Sequence, residues 1–159
     1  MPSEMRVLLA VLDQAYDHKS WHGTNLRGSL RGLTLETLAF RPGPGRHNIW
    51  ELAMHAAYWK YAVARRLASE KRGHFPIKGS NYFVRPQEAS EKAWRQDLAV
   101  LDDCHKHLRE VVAHFPASHL HEARGATGTW TAAETIAGAA AHDLYHAGQI
   151  QLLKRLARG

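Results

Sequence analysis

His142 and His146 stand four residues apart in the stretch His142-Asp143-Leu144-Tyr145-His146-Ala147-Gly148-Gln149-Ile150. An α-helix turns once every 3.6 residues, so these two side chains stack on one helical face. Thr135, Ala139, Ile150 and Leu153 fall on the same face, which therefore points inward. Two imidazoles on an inward face need a polar reason to be there, because each has two ring nitrogens to satisfy. A shared metal ion is one such reason. Two ligands make a weak site, so the rest of the chain has to fold in a way that supplies a third.

The remaining periodicity is helical. Leu8, Val11, Leu12 and Ala15 recur at helical intervals within residues 4–16. An irregular turn follows at residues 17–23, and Thr24 or Asn25 is placed to cap a resumed helix through Leu33, making one interrupted helical arm. Pro42, Gly43, Pro44 and Gly45 mark a connector, with one helical turn at Leu35–Ala39. Asn48 followed three residues later by Glu51 is a capping-box start for a second long helix, to about Ser69. Its stripe is Ile49, Leu52, Ala53, Ala56, Trp59, Val63 and Leu67, with His55 on the flank. A polar connector over residues 71–85 is long enough to lie over a site or to take part in self-association.

A third helix runs from near Ala89 to His114 on Trp94, Leu98, Leu101, Cys104 or His105, Leu108 and Val112. The segment to Trp130, which includes Gly125, reads as a loop. Thr131 and Glu134 form a second capping box, opening a fourth helix to about Ala157. Four long amphipathic helices with no convincing strand predict an all-α four-helix bundle, with residues 1–159 as a single domain.

Charge and composition narrow the function classes. The chain carries 21 basic and 15 acidic residues, a net +6. Basic residues gather loosely at Arg65, Arg66, Lys71, Arg72, Lys78 and Arg85, and again at Lys154, Arg155 and Arg158. They are not interleaved with aromatics, so the expected role is a solvated surface, and nucleic-acid binding ranks behind it. No stretch approaches the roughly 18 apolar residues of a membrane span. The start of the chain has no basic segment followed by an apolar run, and Cys104 is the single cysteine. Both features point to a cytoplasmic protein.

Helix bundles build metal sites from side chains that face each other across the core. The fourth helix offers His142 and His146. The second offers His55, a position equally open to a histidine that is merely hydrogen-bonded beside a core stripe. Three imidazoles would leave at least one coordination position free, the layout of a catalytic site. They suit zinc, nickel, copper or iron. Glu51, Tyr58 and Asp143 are the candidates for proton transfer or for supporting the ligands. Glu51 competes with its own capping role, and Asp143 with plain exposure. His22 in the irregular turn, Trp59 one turn after His55, and Gln149 three residues past His146 are the pocket candidates. The run Ala137-Gly138-Ala139-Ala140-Ala141 either admits a close helix or leaves room for a ligand.

With these residues in place, the chain resembles the DinB/YfiT-like family of metal-dependent enzymes. The resemblance rests on Trp21-His22-Gly23 with Asn25-Leu26, on residues 45–52 leading to His55-Ala56-Ala57-Tyr58-Trp59-Lys60, and on residues 142–150. It implies an up-down-down-up bundle in which His55 is the first metal ligand and His142 and His146 the other two. It also implies one divalent transition metal, zinc or nickel foremost, with iron, manganese or copper as further options. Homodimers are common in such a family, and some members use low-molecular-weight thiols as co-substrates while others are called hydrolases. The expected function is therefore activation of a thiolate or a water toward a small electrophile. A non-catalytic dimeric module that binds metal or a small ligand is the alternative.

Overall fold

The structure, a computed structural model, describes residues 2–71, 73, 75–124 and 128–159. Arg72 of the basic cluster and Gly125 of the loop lie outside the described residues. Six α-helices carry the fold: α1 (Ser3–Tyr16), α2 (Leu26–Ser29), α3 (Leu35–Ala39), α4 (Ile49–Leu67), α5 (Glu91–His114) and α6 (Ala132–Leu156). A 3-10 turn at Ala117–His119 and a minimal antiparallel pair, β1 (Ala123–Arg124) with β2 (Trp130–Thr131), join α5 to α6.

The four long helices form the bundle, and named contacts fix their directions. Trp50 meets Asp97 and Lys60 meets His105, so α4 and α5 run parallel. His55 meets His142 while Val63 borders the same cavity as Gly138, so α4 and α6 run antiparallel. Asp13 binds Arg109 and Tyr16 binds Asp102, so α1 opposes α5. The order is up-down-down-up, and the long 68–90 connector is the overhand link that a parallel α4–α5 pair requires.

The helix starts follow local chemistry. The Asn48 side chain accepts from the Glu51 amide at 2.8 Å, and the Glu51 carboxylate returns to the Asn48 amide at 3.4 Å. The Thr131–Glu134 pair repeats this reciprocal box at the head of α6. Asn48 also ties down the connector, donating to the Arg85 carbonyl at 2.7 Å. Asn48→Ala is therefore expected to cost about 1–2 kcal/mol of stability, the upper part of the usual range for a lost cap, read as a shift in denaturant midpoint at unchanged slope.

Two expectations change. The resumed helix after the first turn is a single turn, Leu26–Ser29, capped by Asn25 as foreseen, and not an arm reaching Leu33. Gly28 weakens propagation, and Gly32 sits at φ +65°, a left-handed conformation that a continuing helix does not permit. The third long helix begins at Glu91 under a Ser90 cap, two residues later than periodicity alone places it.

The core is split. One apolar cluster gathers around Trp50, Leu52, Trp94, Leu101 and Ile150. The other gathers around Leu12, Val63, Leu108, Val112 and Ile136. Between them in register on their helices lie Lys60, His105 and Asp143, all buried.

A candidate three-histidine metal centre

The phase of α4, set by its capping box, carries His55 inward two turns after Asn48. The side chain is buried, as is that of His146, and His142 is half-buried. Their Nε2 atoms converge. His55 Nε2 lies 3.1 Å from His142 Nε2, which lies 3.0 Å from His146 Nε2. The outer nitrogens are occupied on the far side. His55 Nδ1 donates to the Asn81 carbonyl at 2.9 Å, and His146 Nδ1 donates to Gln149 Oε1 at 2.7 Å. Each of these bonds fixes a tautomer with the proton on Nδ1 and a lone pair on Nε2.

Protons do not satisfy this arrangement well. Burial, then the neighbouring imidazoles and cations, push His142 down to about 3. Burial also pushes His55 down to about 4, the Asn81 carbonyl opposing, and lowers His146. The neutral rings thus point lone pairs at one another, and His142 can offer a proton to only one neighbour at a time. A single cation would satisfy all three. Zinc–imidazole bonds are about 2.0–2.1 Å, so nitrogens 3.0–3.1 Å apart are spaced as ligands of one ion are. The donor set therefore fits a divalent transition metal.

The chain matches the sequence model of the DinB superfamily over residues 19–150, which spans every residue of this centre. The chain belongs to the DinB superfamily. No curated protein and no solved structure matches it. What this DinB-superfamily chain does with its three histidines must come from the surroundings.

Three surrounding residues were not singled out from sequence. Asn81 accepts His55 on its backbone carbonyl and the Trp59 indole N–H on its side chain, at 2.9 Å each. It does so at φ +67°, a left-handed backbone that asparagine tolerates better than most residues. Tyr82 stacks on His55 with centroids 4.0 Å apart, and His47 stacks on the other face of Tyr82 at 3.7 Å. All three belong to connectors. For Asn81 and Tyr82 the length of the 71–85 segment was the available signal, whereas His47 lies within residues 45–52, on which the family resemblance rests.

The pocket candidates separate in this DinB-superfamily fold. Gln149 orients His146, as above. The Trp59 ring presents an edge contact to both His55 and His142, with centroids 6.4 Å away in each case. His22 is exposed in the turn after α1, where its Nδ1 lies 3.4 Å from Ser20 Oγ.

Two of the three proton-transfer candidates, Glu51 and Asp143, are held in ion pairs. Glu51 is clamped by Arg41 at 2.5 and 2.9 Å and by His47 at 3.1 Å. Burial would raise its pKa, but these bonds hold the carboxyl below its ordinary range. Tyr58 packs among Trp59, Phe75 and Phe83. Asp143 is not exposed: it is buried against the Lys60 ammonium.

The small-residue run of α6 leaves space. A cavity of about 150 Å³ lies beside His142, walled by Trp59, Val63, Ala139 and the Lys60–Asp143 pair. A Cβ at Gly138 would meet nothing within 4 Å.

Proposed function

We propose that this protein is a metal-dependent enzyme, with one divalent ion held by His55, His142 and His146 and a small electrophile as substrate. The observation that carries the reading is the convergence of three lone-pair-bearing Nε2 atoms next to a small cavity. Zinc or nickel is the foremost ion, with iron, manganese or copper compatible with the same donors. When bound, such an ion supplies a polarised water, with a pKa near 7 on zinc, or a bound thiolate as nucleophile.

The chain's own residues do the positioning. Asn81 and Gln149 hold two ligand rings in the metal-binding tautomer. Trp59 and Tyr82 cover His55 and keep bulk water from the rings. The cavity beside His142 is large enough for a group of roughly benzene size, and its wall is largely apolar. Exposed apolar side chains on α1 (Val7, Val11) and on α6 (Tyr145, Leu152, Leu156) are available to the homodimer that the family resemblance implies.

A panel of cellular thiols incubated with one haloarene and the metal-loaded protein separates the two nucleophiles. Conjugation with one thiol, lost on chelation and restored by metal, is the expected result for a thiol transferase. Hydrolysis without added thiol marks a hydrolase. If neither occurs across thiols and esters, while metal still binds, the enzyme reading fails and a metal-binding module remains.

A further inference from the structure

On the next face of α4, beneath the 68–90 connector, a second cavity of about 400 Å³ is walled by Tyr58, Tyr61 and Phe75 and by Arg65, Arg66 and Lys78. The three rings pack together, with centroids 5.5 to 6.3 Å apart. Among the described residues, no acidic side chain lines the cavity. Among the described residues, none of the three cations has an ion-pair partner, whereas Arg27, Arg41, Arg85 and Arg109 each meet a carboxylate.

Arg65 Nη1 reaches only the Glu70 carbonyl, at 3.3 Å. Arg65 Nε and Tyr61 Oη are buried with no hydrogen-bond partner among the described residues. Arg66 lies over the Trp59 ring at 5.6 Å, which leaves its donors free of carboxylate. Three like charges gathered around one aromatic concavity repel each other unless an anion joins them, and two covered donors lack an acceptor.

We propose that this cavity is a binding site for a small organic anion, a flat apolar body carrying a phosphate or carboxylate group. The rings take the body. Arg65, Arg66 and Lys78 take the oxyanion, and a small swing of the Arg65 side chain gives Nε the acceptor it lacks. Trp59 stands between this site and the three histidines, so the anion is held one indole away from the metal centre. The assignment does not depend on what the metal does.

Calorimetric titration of the metal-loaded protein with phenyl phosphate, benzoate and inorganic phosphate, at one fixed ionic strength, tests it. The tighter of the two aromatic anions names the oxyanion. Arg65→Gln with Lys78→Gln is expected to weaken that ligand about tenfold or more, since two charge-assisted contacts are lost together. A control pair, Arg155→Gln with Arg158→Gln, removes the same net charge far along α6 and is expected to change affinity by less than about twofold. Phenyl phosphate should bind about fivefold tighter than inorganic phosphate through ring contacts.

Equal losses in the two variant pairs would reduce the effect to net charge. Undiminished binding in the first pair would place the anion at the metal. Either result overturns the proposal, as does parity of phenyl and inorganic phosphate, or no binding of either aromatic anion at about 10 mM, a free energy too small for a built site.

Discussion

His142→Ala is expected to abolish stoichiometric metal binding by the purified, untagged protein, and Gln149→Ala to weaken it without abolishing it. His142 is the middle member of the cluster: its Nε2 is the one within 3.0 to 3.1 Å of both other nitrogens. Removing it leaves His55 and His146, on different helices, as a two-ligand remnant. Gln149 touches the metal position only through His146, whose Nδ1 proton it accepts at 2.7 Å. Losing such a supporting bond typically costs about 10- to 100-fold in metal affinity. His22→Ala, in an exposed turn, should bind metal as the parent does. Elemental analysis gives the stoichiometry and a competing chelator gives the affinity. An unchanged metal content in His142→Ala would end the three-histidine assignment. Equal behaviour of Gln149→Ala and the parent would remove Gln149 from it while leaving the ligands in place.

The parts of this centre that sequence revealed are those encoded within one helix. His142 and His146 share a face by helical arithmetic, and Gln149 follows by the same arithmetic. The starts of α4 and α6 were legible because each capping box is completed within four residues. His55 was ambiguous from periodicity alone, since a flank histidine on α4 looks the same whether it binds an ion or a carbonyl, and the family resemblance decided it.

What sequence did not reveal depends on contacts between distant segments. Asn81 lies 26 residues from His55, in a connector with no periodicity to read. Lys60 and Asp143 lie 83 residues apart, and each looks like a solvated charge on its own helix. Only the antiparallel register of α4 and α6 brings them together. The resumed helix after residue 25 stops short of Leu33, and the left-handed backbone at Gly32 is set by the tertiary path of the chain and not by a local pattern.

Lys60→Met is expected to be among the most destabilising single changes in this protein, by about 3–5 kcal/mol, because it strands the Asp143 carboxylate in the core. Both side chains are almost completely buried, at 2% and 1% exposure. Burial pushes the Asp143 carboxyl upward and the Lys60 ammonium pulls it back, so the carboxylate depends on that one cation. Asp143 Oδ1 has no hydrogen-bond partner among the described residues, which leaves little to compensate. Replacing both at once, Lys60→Met with Asp143→Leu, should recover most of the loss, since a buried pair exchanged for apolar groups of similar volume is often neutral or better. A double-mutant cycle by denaturant unfolding measures the coupling. Additive losses from the two single changes would show that the pair is not a unit.

The third member of the layer, His105, makes the layer sensitive to acid. Lys60 Nζ donates to its Nδ1 at 3.2 Å, and Tyr16 stacks on its ring at 3.7 Å. Burial first, and the Lys60 charge second, push His105 down to about 2. The folded pKa is thus below the unfolded value near 6.5, so the unfolded chain takes up this proton first as pH falls. The stabilisation is whole above pH 6.5 and drains between there and about 2, by at most about 1.4 kcal/mol per pH unit. His105→Phe keeps the stack on Tyr16 and removes the titration. Its unfolding free energy should therefore fall less steeply than the parent's between pH 6 and pH 4, by up to about one proton's slope. Parallel pH profiles for the two proteins would mean that His105 is not held neutral, and that the layer between the two apolar clusters is wetter than its burial implies.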